Sequence, residues 1–400
     1  MGDKKEEIIR QLRKRIMEDI EFAEELSDEQ MKELIGRYLL EKNNCFSLSD
    51  RKKIGKEIFD SLRKWDVLQD LLDDDEITEI MVNGPEHIFV EKKGKLKRAD
   101  LKFESKEKLL QVINQIVAGC NRSVNETSPI ADARLPQGAR VNVVLSPIAL
   151  NGPILTIRRF PNRPVTMEKL KEFGAINEEA INFLKKAVKA KYNIIISGGT
   201  GSGKTTFLNA LSQYIPKDER IITIEDSAEL QLQGIENLIR METRNANIEG
   251  GKIITIRDLI KTSLRMRPDR IVVGEVRGAE ALDMIGSAMN CGHDGSMSTA
   301  HANTAADMLV RLENMILMAA ELPVGAIRRQ IASGVDLIVH LGRMRDKSRK
   351  VLEITEVWGM EKEEIILNRL FHFEEQSDNK EEAVKGELKK CGKLIHIYKM

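Results

Sequence analysis

The run Gly198-Gly199-Thr200-Gly201-Ser202-Gly203-Lys204-Thr205 decides how the rest of this 400-residue chain is read. It fits G-x-x-x-x-G-K-[ST], with the apolar triplet Ile194-Ile195-Ile196 before it and a helical pattern from Thr206 to Leu211 after it, the setting in which that motif acts. Glycines let the backbone turn tightly, so successive N–H groups aim inward at phosphate oxygens, and the start of the helix adds its partial positive charge. Gly198, Gly199, Thr200, Gly201, Ser202, Gly203, Lys204, Thr205 and Thr206 are therefore the expected nucleotide cradle. Lys204 reaches the β- and γ-phosphates, and Thr205 offers a hydroxyl to the Mg²⁺ that bridges them. The cofactors expected are ATP and Mg²⁺.

A phosphate loop leaves open what the energy does, so the flanking motifs matter. Ile271-Val272-Val273-Gly274-Glu275 is an apolar strand ending in a carboxylate, which a parallel sheet would present beside bound phosphates at its carboxyl edge. Glu275 is a candidate for the Mg²⁺ shell or for the attacking water. Ile222-Thr223-Ile224-Glu225-Asp226 repeats the pattern and makes Glu225 a second candidate. Gly292 to Asn303 places His293 and His301 around a short run of small residues. No acidic or cysteine partner other than Asp294 stands at metal-ligand spacing, so a zinc site is disfavoured and one histidine is expected to report on phosphate.

Further outward, short apolar strands at 193–197, 221–224 and 270–273 alternate with helical stretches, which argues for a parallel sheet covered by helices. Beyond Gly334, strands at 337–340, 351–357 and 365–370 follow without helices, an antiparallel extension. Upstream, residues 3–72 are helical and charged, with capping signals at Ser27-x-x-Gln30 and Ser47-x-x-Asp50. Between them lie strand signals at 77–82, 88–90, 140–144 and 154–157 and one helix over 107–117. The expected order is a helical bundle (1–72), an α+β domain (73–160), a linker (161–165) around Phe160-Pro161-Asn162-Arg163-Pro164, an α/β motor domain (166–374) and a polar tail (375–400).

Composition narrows the function. Lys plus Arg and Asp plus Glu are both 63, and only 4% of residues are aromatic, which speaks against a nucleic-acid binder. Cys45, Cys120, Cys291 and Cys391 are far apart and read as free thiols, and the charged start has no apolar leader, so a cytoplasmic location is expected.

In order along the chain, 198–206, Ile-Glu-Asp-Ser-Ala-Glu-Leu (224–230), Arg-Pro-Asp-Arg-Ile-Val-Val-Gly-Glu-Val-Arg-Gly (267–278) and 292–303 resemble the Walker A, Asp box, Walker B and His box of the type II/type IV secretion ATPase superfamily. Residues 77–85, 132–144 and 155–160 resemble one branch, the CpaF family of tight-adherence (Flp) pilus assembly ATPases, and the likeness runs from about residue 65 to 370. It implies a RecA-like motor domain in a homohexamer, with ATP between middle and motor domains. The motor would sit at the inner face of the cell membrane, work on a membrane platform protein and so act indirectly on pilin. It also implies that His301, and His293 less surely, sense the γ-phosphate. Arg140 and Arg158 would reach the nucleotide, with Arg159 and Arg240 as weaker candidates. The isolated cysteines cannot build the four-cysteine zinc module of many related extension ATPases. Conjugation ATPases of the type IV branch, a nucleotide-gated scaffold and a DNA-translocating helicase are the rival readings.

Overall fold

The protein is described by a computed structural model, which covers residues 9, 11–13, 15–19, 26–41, 46–92, 94–159, 164–244, 252–376 and 384–399. The chain forms two compact units, residues 1–162 and 163–400. The helical bundle and the α+β domain expected separately share the first. Most of the expected linker, 161–163, lies outside the described residues.

In the first unit the serine caps act as their spacing demands. Ser27 N donates to Gln30 Oε1 at 2.8 Å while Gln30 N donates back to Ser27 Oγ at 3.3 Å, opening the helix Asp28–Glu41. Ser47 Oγ accepts from Asp50 N and opens Leu48–Arg63. Apolar residues spaced four apart, Met31, Ile35 and Leu39 on one helix and Ile54 and Ile58 on the other, share one core with Leu12 and Ile16. The chain then builds a six-stranded antiparallel sheet of order β3-β2-β1-β6-β5-β4, with β1 Ile77–Asn83, β2 Ile88–Lys92, β3 Lys95–Arg98, β4 Ile130–Arg134, β5 Arg140–Val144 and β6 Ile154–Arg158. The helix Lys106–Ala118 buries Leu109, Val112, Ile113 and Ile116 in the same core as Val141, Val143, Leu155 and Ile157, whose period of two turns one face of the sheet inward.

The second unit holds a nine-stranded sheet of order β15-β14-β13-β12-β7-β11-β10-β8-β9. β7 is Ile194–Gly198, β8 Ile221–Glu225, β9 Leu238–Glu242, β10 Arg270–Val273, β11 Met297–Ala300, β12 Leu337–Arg343, β13 Arg349–Glu361, β14 Glu364–Glu375 and β15 Gly386–Lys390. From β12 to β9 all neighbours are parallel; from β12 to β15 they are antiparallel. Ile194 and Ile196 pack into one core with the helices Glu178–Lys189 and Lys204–Ser212, and Ile195 into another with Ile256–Ser263, Ala305–Leu317 and Val324–Gly334. Burial on both faces is why these strands read as continuous apolar runs.

The polar tail expected at 375–400 is corrected by the structure. β15 extends the sheet edge, Val384 and Leu388 are buried, and Asn177 Nδ2 donates to Leu388 O at 2.6 Å. The Tyr192 hydroxyl donates to His396 O, and Lys399 Nζ pairs with Asp336 Oδ2 at 2.8 Å. A few apolar side chains suffice to seat an edge strand whose other residues are Glu and Lys.

Candidate active site

Parallel order puts the carboxyl ends of β7, β8, β10 and β11 along one edge of the sheet. After β7, Gly201 (φ 71°) and Gly203 (φ 93°) take left-handed backbone that a side chain would resist, and the helix Lys204–Ser212 begins at once. Lys204 is buried, and its Nζ lies 3.1 Å from Gly198 O and 3.1 Å from Gly199 O, inside the loop. Burial lowers its pKa, with Glu275 acting in the opposite sense. Thr205 and Thr206 occupy the first turn of that helix.

β11 lies between the loop-bearing β7 and β10, and past its end stands His301, while Glu275 follows the end of β10. His301 Nδ1 stands 3.3 Å from Lys204 Nζ, and His301 Nε2 stands 2.9 Å from Glu275 Oε1. An ammonium only donates and a carboxylate only accepts, so the two neighbours favour a neutral ring with its proton on Nε2, although the approach to Glu275 Oε1 is not aligned as a hydrogen bond and leaves that oxygen buried without such a partner among the described residues. Burial, followed by the charge of Lys204, lowers the His301 pKa and favours that neutral ring. Glu275 Oε2 also accepts from Arg277 Nη2 at 2.6 Å.

β8 delivers Glu225, which is 3% exposed. Its Oε1 accepts from Glu229 N and Leu230 N, both at 2.8 Å, while Oε2 is buried with no hydrogen-bond partner among the described residues. Burial raises its pKa to about 7, the backbone donors and Arg240 pulling the other way. Gly274 makes room for it, since a Cβ there would come within 2.8 Å of Glu225 Cγ. Thr205 and the two glutamates are hard oxygen donors, the set that suits Mg²⁺, and the unpartnered oxygen of Glu225 fits a ligand or a water.

His293 is not brought to this edge. It precedes β11 as His301 follows it, so the strand carries it to the opposite edge, where its Nδ1 lies 3.0 Å from Pro268 O. The structure therefore does not bring His293 to the phosphate loop as it does His301. Arg140 and Arg158 belong to the first unit and face each other across β5 and β6, with Arg158 Nε 3.6 Å from Glu79 Oε1. Arg159 instead ties down the start of β1, donating to Asp74 O and Ile77 O. Arg240, on β9, donates to Leu230 O at 3.0 Å and so braces the turn that holds Glu225.

Sequence reading missed two parts. Arg277, although adjacent to the Glu275 motif, gives no local sign that its guanidinium folds back on that carboxylate. His340 on β12 lies buried behind the loop, its Nδ1 3.1 Å from Ser197 Oγ. Burial lowers its pKa, which a hydrogen bond to the Asn303 backbone opposes. It thus links the phosphate-loop strand to the segment after His301, a contact between β7 and β12 that only the strand order creates.

A parallel sheet with a phosphate loop, two strand-end glutamates and a histidine converging at one edge defines a RecA-like P-loop fold, here joined to an α+β N-terminal domain with a small helical bundle. Residues 62–389 match the family described as Type II/IV secretion system protein, and the chain belongs to it. The conjugal transfer protein TrbB of Rhizobium radiobacter is 33% identical over 316 residues, 78% of this chain and 93% of its own length. The type IV secretion system protein VirB11 of Brucella suis is 32% identical over 325 residues, 74% of this chain and 88% of its own. Among solved structures, the ATPase DotB of Legionella pneumophila shares the fold with a TM-score of 0.52 at 21% identity, over 72% of this chain and 79% of that one.

Proposed function

We propose that the chain is a Mg²⁺-dependent ATP hydrolase that works as a homohexameric motor on a membrane platform. The observation that carries this reading is the meeting of Lys204, Glu275, His301 and Glu225 at one sheet edge around a phosphate loop. Lys204 would leave the loop carbonyls for the β- and γ-phosphates. Thr205 and Glu275 would hold Mg²⁺, which neutralises charge on the phosphates when bound. Glu225, with a pKa about 7 and one open oxygen, suits taking a proton from the attacking water. His301, bridging Lys204 and Glu275, would report on the γ-phosphate. Arg140 and Arg158 would supply positive charge to the transferred phosphoryl from the first unit, an effect worth ~10³ or more in rate in other nucleotide hydrolases.

What the motor drives is the finer question. The segments at 77–85, 132–144 and 155–160 support assembly of a tight-adherence pilus through a platform protein and, through it, pilin. The similarity to TrbB and VirB11 favours a type IV secretion or conjugation apparatus, and weighs at least as much. No helix among the described residues is long and apolar enough to cross a membrane, in keeping with a protein held peripherally at the inner face.

Steady-state phosphate release on the purified full chain tests the activity: Lys204→Ala should abolish Mg²⁺-dependent turnover, and turnover that survives it or ignores Mg²⁺ removal would overturn the reading. Deleting the gene separates the cargoes. Loss of surface pili by electron microscopy supports the pilus reading; intact pili with loss of conjugation or of a secreted protein supports the other.

A further inference from the structure

Two arginines stand beside the phosphate loop without a role in the site just described. β12 runs parallel to β7 with Leu341 opposite Gly198, so its last residue, Arg343, reaches past the end of β7 alongside the loop. The hairpin turns back at once and places Arg349 directly across from Arg343. Arg349 Nε donates to Gly201 O at 2.9 Å, and its Cδ lies 3.2 Å from where a Cβ on Gly203 would sit. Arg343 Nη1 lies 3.4 Å from the corresponding point on Gly201. Both side chains are exposed, and among the described residues Arg343 has no hydrogen-bond or ion-pair partner.

Like charges directly opposite on neighbouring strands repel, and this hairpin is not free to splay them. Met344 N donates to Ser348 O at 2.8 Å, Asp346 Oδ1 accepts from Ser348 N at 2.9 Å, and Asp346 Oδ2 accepts from Val384 N at 2.8 Å. The turn thus fixes the backbone of two exposed arginines on neighbouring strands, each of which lies against the phosphate loop.

We propose that Arg343 and Arg349 form a second cationic arm of the nucleotide site, gripping the α- and β-phosphates from the side opposite Lys204, Glu275 and His301. This rests on the nucleotide-site reading above and deepens it: the arm binds the part of the ligand that remains after hydrolysis, so it sets affinity for the diphosphate product. Planar guanidinium forks suit phosphate oxygens, and each charge-assisted contact is worth about tenfold or more in affinity.

Calorimetric titration of the full chain with ADP and Mg²⁺ tests it. Arg343→Gln, which touches no loop atom by hydrogen bond, should raise the ADP Kd about tenfold and the ATP KM similarly, leave kcat within about twofold, and leave the melting temperature without nucleotide unchanged. Arg349→Gln should do the same and in addition loosen the loop it holds. An Arg343→Gln protein that binds ADP within about twofold of wild type overturns the arm. If that happens while Lys204→Ala does weaken ADP binding, only the arm falls. If Lys204→Ala binds ADP as tightly as wild type, the nucleotide-site reading fails and the arm with it.

Discussion

At the amino edge of the nine-stranded sheet, Arg270 and Asn193 are buried and well partnered. Arg270, fully buried, donates from Nη2 to Glu219 Oε1 at 3.0 Å and from Nη1 to Val188 O at 2.8 Å, with Nε also on Glu219. Asn193 donates to Met289 O and Gly334 O and accepts from Gly295 N and Ser296 N, so its amide is saturated. At the carboxyl edge of the same sheet, Glu225 is as deeply buried and keeps an oxygen unpartnered among the described residues. The lesson is that burial alone does not mark a site. Nor does an open valence alone, since Asp60 Oδ1 in the helical bundle is also buried without a hydrogen-bond partner; what sets Glu225 apart is that its open oxygen lies at the sheet edge that carries the phosphate loop.

The largest effect expected from breaking this contrast lies at the amino edge. Arg270→Met removes the partner of a buried carboxylate and should cost about 3–5 kcal/mol, lowering Tm by about 10 °C. ATP turnover per folded molecule at 25 °C should hold. A melting temperature within a degree or two of wild type would show that Glu219 finds compensation elsewhere, for which Lys191 Nζ, at 3.8 Å, is the candidate.

The matching change at the carboxyl edge should act in the reverse sense. Glu225→Gln should reduce turnover by about 10²–10⁴-fold, the usual worth of a general base. Stability without nucleotide or divalent cation should rise relative to wild type as the pH rises. Burial pushes the folded-state pKa of Glu225 up to about 7 from an ordinary 4.5, so the folded state binds more protons over that window and wild type loses stability as pH climbs through it. The full difference is about 3 kcal/mol at 1.36 kcal/mol per unit, less whatever the buried amide forfeits. Equal pH dependence of melting for the two proteins would sink the assignment of a high pKa.

Most of the carboxyl edge was legible because each part is local: the loop motif with its flanking strand and helix, and each apolar run leading to a Glu, is written in a short stretch of consecutive residues. The serine caps were legible for the same reason. What local reading could not supply was direction. His293 and His301 lie in one short segment, yet the strand between them sends one to each edge, and Arg277 carries no sequence sign of which way it folds. The amino edge was opaque throughout, since a lone Asn before a strand or an Arg at its start gains meaning only from the backbone groups of Val188, Met289, Gly295, Ser296 and Gly334 and the carboxylate of Glu219 that the fold brings to it. The last residues were misread as a tail because their many Glu and Lys outweighed Val384 and Leu388.

That C-terminal segment supplies the smallest test. Lys399 Nζ pairs with Asp336 Oδ2 at 2.8 Å and with Asp294 Oδ1 at 3.2 Å, and Asp336 Oδ2 also accepts from Asn193 N at 2.7 Å. Lys399→Met keeps an apolar stem over Tyr192 and removes the charge, which should cost about 1–2 kcal/mol in melts above neutral pH. Burial raises the Asp336 pKa and Lys399 counters it, so without the lysine the carboxyl becomes still harder to ionise in the folded state. The gap between variant and wild type should therefore close as the pH falls and Asp336 takes up its proton in both, and open as the pH rises through the range in which it ionises. A double-mutant cycle with Asp336→Asn isolates the pair: coupling near zero would mean that the segment is seated by β15 alone, and that the amino edge owes nothing to the end of the chain.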